Sequence, residues 1–119
     1  MAVNLDSYLG IHTQALTLEA QRTELLASNL ANADTPNYKA RDIDFKAALA
    51  AAAAPGSANA TSINSAVKYR VPMAPSLDGN TVDTQLEQAA FAENAVRYQA
   101  TLTFLNASLK ELMTAITGS

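Results

Sequence analysis

Between Phe91 and Ile116 the apolar residues fall in alternating steps of four and three: Phe91, Ala95, Tyr98, Leu102, Leu105, Leu109, Leu112 and Ile116. That spacing places them on one side of a helix, as a coiled-coil seam that another helix must cover. It predicts a C-terminal helix over 83–117. Asp83 or Thr84 can cap its start, Thr84 and Glu87 stand at capping-box spacing, and Gly118 is placed to end it.

A second long helix is predicted over 5–33, roughly 40 Å long at 1.5 Å per residue. Leu5, Leu9, Leu16, Leu26 and Leu30 share one stripe with His12, Glu19 and Thr23, while Ile11, Ala15, Leu18 and Leu25 form another. Two stripes on one helix require cover from more than one side. Between the helices lie a turn and extended arm (34–46), an alanine-rich stretch (47–66), and a second arm and turn (67–82). Ala47 to Ala66 is low in complexity and broken by Pro55-Gly56, which predicts a flexible insert, although its alanines could extend a helix locally. Val67, Tyr69 and Val71 alternate with Lys68 and Arg70 as in a half-exposed strand, and Pro72 and Pro75 confine it to an edge or an isolated arm. Asp78-Gly79 supplies a turn. The expected fold is mainly α: a single subunit over 1–119, with its terminal helices paired as a coiled coil.

Composition narrows the function. Of 119 residues 49% are hydrophobic, but much of that share is alanine and only 6% are aromatic, so the core is modest. Net charge is −3 with no run of Lys or Arg, which removes the footprint of a nucleic-acid binder. Cysteine is absent and His12 is the one histidine, so a His/Cys metal site cannot be assembled. His12 reads as a packed or surface imidazole. Asp42 and Asp44, beside Arg41 and Lys46, read as an ordinary solvated charge cluster rather than an acid–base pair. Asp78 to Asp83 resembles a calcium loop faintly, without the loop's central glycine or terminal Glu. There is no glycine-rich phosphate loop. No catalytic residue, metal, cofactor or small-molecule substrate is expected.

No Lys or Arg precedes Arg22, and the uncharged stretch Ala47–Val67 contains Pro, Gly and Asn. Neither a secretory signal nor a membrane span is read there, so the expectation is synthesis in the cytoplasm without export by the general route.

The first helix ends at Asn29-Leu30-Ala31-Asn32-Ala33-Asp34, and Thr35-Pro36-Asn37-Tyr38 follows. Pro36 suits the second position of a turn and pushes Thr35 out of the helical region. Asn37 tolerates the positive φ that a type II turn demands next. Tyr38 can then pack on a neighbouring helix.

The stretch from Ser28 to Phe45 resembles the signature of the flagellar basal-body rod and hook family, Ala-Asn followed by Thr-Pro-Gly-Tyr, with Asn37 in place of the usual Gly. Lys39 to Phe45, Tyr69 to Asp83 and Ala92 to Gly118 are similar to the proximal rod branch of that family. The resemblance covers nearly the whole chain except the alanine-rich insert. It implies a structural subunit of the basal body whose terminal helices pair as a coiled coil. Subunits would stack helically into the periplasmic rod, the drive shaft of the flagellum. The implied partners are other copies of the chain, other rod proteins, the rod-base adaptor, the membrane ring protein and the type III export apparatus. The motif Asn29–Tyr38 would be an assembly joint; of the arm Arg41, Asp42, Ile43, Asp44 and Phe45, the stretch Asp42–Phe45 would lie against an adjacent subunit. From the residues alone, a helical coiled-coil adaptor unrelated to flagella stays open, as does a membrane-surface protein, although scattered charge and the lack of a basic face argue against the latter.

Overall fold

The computed structural model describes residues 9–53, 67–72 and 76–118. The expected start of the first helix at Leu5 and residues 54–66 of the insert lie outside the described residues. Helix α1 spans Ile11–Ala31, strand β1 Arg41–Ile43, helix α2 Phe45–Ala53, strand β2 Val67–Tyr69 and helix α3 Thr84–Thr117. Among the described residues the fold is mainly helical, with one two-stranded sheet.

Helices α1 and α3 lie side by side and antiparallel, as their bridging contacts show. His12 stacks on Phe104 at 5.8 Å between centroids, Glu19 meets Thr101, Thr23 meets Asn94, and Asn29 meets Glu87. Asp83 caps α3 by accepting from the backbone N–H groups of Gln85 and Leu86 at 3.1 and 3.3 Å. At the other end Gly118 adopts φ 74°, and its N–H closes onto the Thr114 carbonyl at 2.9 Å. Glu87 stands at capping-box spacing from Thr84, yet its carboxylate turns inward and is fully buried.

The face of α3 turned to α1 keeps the four-three alternation but is offset from the apolar seam. It runs through Asn94, Tyr98, Thr101, Leu105, Ser108 and Leu112, all buried or half-buried. Of the seam residues, Tyr98, Leu102, Leu105 and Leu112 are covered at least in part, whereas Phe91, Ala95, Leu109 and Ile116 are exposed. The offset has a physical cause: Asn94 and Thr101 hydrogen-bond to α1, so polar residues take places on the contact line.

Strands β1 and β2 pair antiparallel with Arg41 opposite Tyr69, Asp42 opposite Lys68 and Ile43 opposite Val67. The second arm, expected as an edge or isolated segment, is thus paired with the first. Ala47–Ala53, expected within the flexible insert, instead belong to α2. Asp44 starts that helix, with its side chain accepting from the Ala47 N–H at 3.2 Å. Alanine is the strongest helix former, and Ala48 is buried with Leu18 and Ile43 while Phe45, Leu49, Leu25 and Val67 pack around them. That cluster is the part of the core where α1, β1 and α2 meet. Ile43, expected against an adjacent subunit, is spent within its own chain because Leu18 and Ala48 offer it apolar cover.

Candidate assembly joint

Helix α1 ends where Asn32 folds back, its side-chain amide donating to the Ser28 carbonyl at 2.8 Å. Thr35, Pro36, Asn37 and Tyr38 then reverse the chain, with the Tyr38 N–H reaching the Thr35 carbonyl at 3.3 Å. Asn37 has φ 63°, and among the described residues no other non-glycine residue has a positive φ. A β-branched residue would be strained there. The Tyr38 hydroxyl lies 3.1 Å from Ser28 Oγ, tying the far side of the turn back to α1.

A second turn, Leu77-Asp78-Gly79, docks against the first. The Asn37 N–H donates to the Asp78 carbonyl at 2.8 Å, and the Thr81 N–H to the Tyr38 carbonyl at 2.9 Å. Gly79 has φ 75°, and a Cβ at that position would collide with Asn37 Oδ1. Glycine therefore meets two demands here, a left-handed backbone and a close approach.

Asn80 holds the two turns together. Its side-chain amide lies 2.9, 3.0 and 2.7 Å from the carbonyls of Asn32, Ala33 and Thr35, and its Oδ1 accepts from the Val82 N–H at 2.7 Å. Carbonyls at a helix C-terminus have no intrahelical donor, so Asn80 supplies what the end of α1 lacks. Asn80→Ala is expected to cost about 1–3 kcal/mol through the orphaned carbonyls. Asn80→Asp should cost more, because it sets a carboxylate against the negative end of the helix. Urea midpoints of the two variants check this order.

Asn29 is the second clamp. It is fully buried; its amide donates to the Arg41 carbonyl at 2.7 Å and to Glu87 Oε2 at 3.0 Å, while its Oδ1 accepts from the Arg41 N–H at 3.0 Å. One side chain thereby joins α1, β1 and α3. Around it runs a chain of charges. Arg22 grips Asp42 through two bonds of 2.9 and 3.2 Å, Arg70 reaches the same carboxylate at 2.6 Å, and the other arm of Arg70 pairs with Glu87. Asp42 is thus a partly buried hub rather than a member of a solvated cluster, and Arg41 serves through its backbone. Asp44 pairs at the surface with Lys68 at 3.1 Å.

Burial alone would raise the Asp42 carboxyl. Hydrogen bonds from Arg22, the Ile43 N–H and Arg70, with the charge of Arg22, outweigh it and hold the group below its ordinary value. A depressed folded value means stability that is present above the unfolded value and lost as pH falls through the folded one. Acid unfolding should show this step, and Asp42→Asn should remove it, as read by circular dichroism from pH 5 downward.

The structure thus brings Asn29, Asn32, Thr35, Asn37 and Tyr38 into one joint, with Arg41 and Asp42 clasping it. Leu30 and Ala33 are half-buried beside it, while Ala31, Asp34 and Pro36 are exposed. Sequence reasoning did not single out Arg22, Arg70, Asn80 or the buried role of Glu87. The nearest signals were the Asp-Gly-Asn turn and the glutamate one turn into α3, which the spacing assigns to a capping box. Among the described residues no helix is long and apolar enough to cross a membrane.

A clamp built from backbone carbonyls, amides and ion pairs positions chain segments, and the comparisons agree with a structural role. A family model described as "Flagella basal body rod protein" matches residues 9–39, which contain α1 and the first turn. Among relatives, "Flagellar basal body rod protein FlgB" of Cereibacter sphaeroides is 50% identical over 92% of this chain and 94% of its own. The proteins of that name from Salmonella typhimurium (42% identical, 99% of both chains) and Escherichia coli (40% identical, 98% of this chain and 97% of its own) are similar throughout. The chain belongs to the FlgB family of flagellar basal body rod proteins. It is a structural rod component rather than an enzyme, and its place is the basal body.

Proposed function

We propose that this chain is a proximal rod subunit that helps connect the membrane ring to the rod, and that it travels by the flagellar type III pathway. Its partners would be other copies of itself, other rod proteins, the rod-base adaptor, the membrane ring protein and the export apparatus. The observation that carries this reading is the half of the α3 seam left outward: Phe91, Ala95, Leu109 and Ile116 are exposed, along with Val96, Phe104 and Met113. A long helix with apolar residues on both flanks of its intrachain contact calls for further helices to cover it. Head-to-tail contacts between different faces build open helical assemblies rather than closed dimers. The joint fixes the angle at which β1 and β2 leave the helix pair, and so presents the same outline from every subunit.

A strain lacking the gene tests the reading. It should retain the inner-membrane ring and lack the completed rod, hook and filament in electron micrographs of basal bodies. Normal hooks and filaments would overturn it.

A further inference from the structure

Halfway along the α1–α3 contact, Glu19 is 3% exposed and Asn94 is 1% exposed. One carboxyl oxygen of Glu19 accepts from Thr101 Oγ1 at 3.0 Å. The Asn94 amide donates to the Glu19 carbonyl at 2.8 Å and to Thr23 Oγ1 at 2.7 Å. Among the described residues, Glu19 Oε2 and Asn94 Oδ1 are the buried side-chain polar atoms left without a hydrogen-bond partner. Both are acceptors when Glu19 is ionised, and a buried carboxylate with a single hydroxyl donor is costly.

The charges on the packed elements are engaged elsewhere. On α3, Arg97 acts on Glu19 from a distance but is half-exposed and paired with Glu93 at 2.8 Å. On α1, Arg22 is held by Asp42 of β1, Glu24 is exposed, and His12 stacks on Phe104. Lys46 of α2 is exposed and acts on Asp44. No ion pair reaches Glu19 among the described residues.

We propose that the α1–α3 crossing is a proton-dependent latch, which closes around an uncharged Glu19 carboxyl and loosens when that carboxyl ionises. A proton turns the orphaned oxygen into a hydroxyl and removes the buried charge. Desolvation accordingly raises the Glu19 carboxyl above its usual value, against the opposing hydrogen bond of Thr101 and the charge of Arg97. A raised folded value means the contribution is fully present below the unfolded value and is lost as pH rises through the folded one. Asp42 acts in the opposite direction and at lower pH, so the two windows separate.

The test uses the full chain, with Glu19→Gln as the neutral isostere and exposed Glu24→Gln as the control. Two quantities are followed from pH 4.5 to 8.5: the urea midpoint and the carbon-13 shift of the Glu19 carboxyl. In the parent chain the midpoint should fall as Glu19 titrates, by roughly tenfold in folding constant for each pH unit separating its folded and unfolded titration points. Glu19→Gln should abolish that fall and Glu24→Gln should keep it. A Glu19 carboxyl that titrates in the ordinary glutamate range, or a Glu19→Gln profile parallel to the parent, would overturn the latch and leave an ionised, water-bridged carboxylate instead.

Discussion

Arg70→Ala should lower the unfolding free energy by about 3 kcal/mol, the low end for breaking a buried ion pair by removing one partner. The low end applies because the Arg70 side chain keeps 17% of its exposure. Arg70 joins two carboxylates from different elements, Asp42 of β1 and Glu87 of α3. Without it Asp42 retains Arg22, but Glu87 is fully buried and keeps the Asn29 amide as a donor. The penalty is therefore dominated by a stranded carboxylate, and Glu87→Gln on top of Arg70→Met should recover part of it. Lys68→Ala, which removes the exposed partner of Asp44, should change stability by less than about 1 kcal/mol. Equal losses from Arg70→Ala and Lys68→Ala would mean that the network is no more than a solvated cluster.

Leu105→Asp should be at least as severe. Leu105 is 6% exposed and is the most fully buried apolar residue of α3. An unpaired carboxylate there costs several kcal/mol. Thr103 lies two residues away on the exposed side, its hydroxyl bonded to the Gln99 carbonyl. Thr103→Asp should be milder in both urea midpoint and swimming rate. Similar defects from the two changes would contradict the helix-pairing face described above.

The elements that could be read from the chain are those whose signals are local. Caps at Asp83 and Gly118 and the turn at Pro36-Asn37 are written within a few residues, since each depends on φ or on one nearby donor. The helix pairing was legible from the heptad spacing, but its face was not. Hydropathy follows Ala95, Leu102 and Leu109, whereas the contact runs through Asn94 and Thr101, which are polar and satisfied by α1. A buried asparagine and an exposed one are the same letter. The joint was read from one side only: Asn80 lies 48 residues from Asn32, and no local pattern announces that its amide will close the end of α1. Asp42 reads as part of a solvated cluster for the same reason, since its neighbours Arg41 and Lys46 are close in sequence while its partners Arg22 and Arg70 are close in space. The helix at Phe45–Ala53 is hard to read from the chain because alanine buries little; next to Leu18 and Ile43, Ala48 buries enough.

We propose that the Thr35–Tyr38 turn, locked by Asn80, is a joint needed for assembly rather than for making the chain. Pro36→Ala with Asn37→Val removes the bias on Thr35 and opposes the positive φ of residue 37. Basal bodies from a strain carrying this double change, imaged by electron microscopy alongside immunoblots of the exported fraction, measure the two steps separately. The expected result is a chain that is made and exported while rods, hooks and filaments are strongly reduced in number. A double mutant that is exported and builds rods in normal number would contradict it.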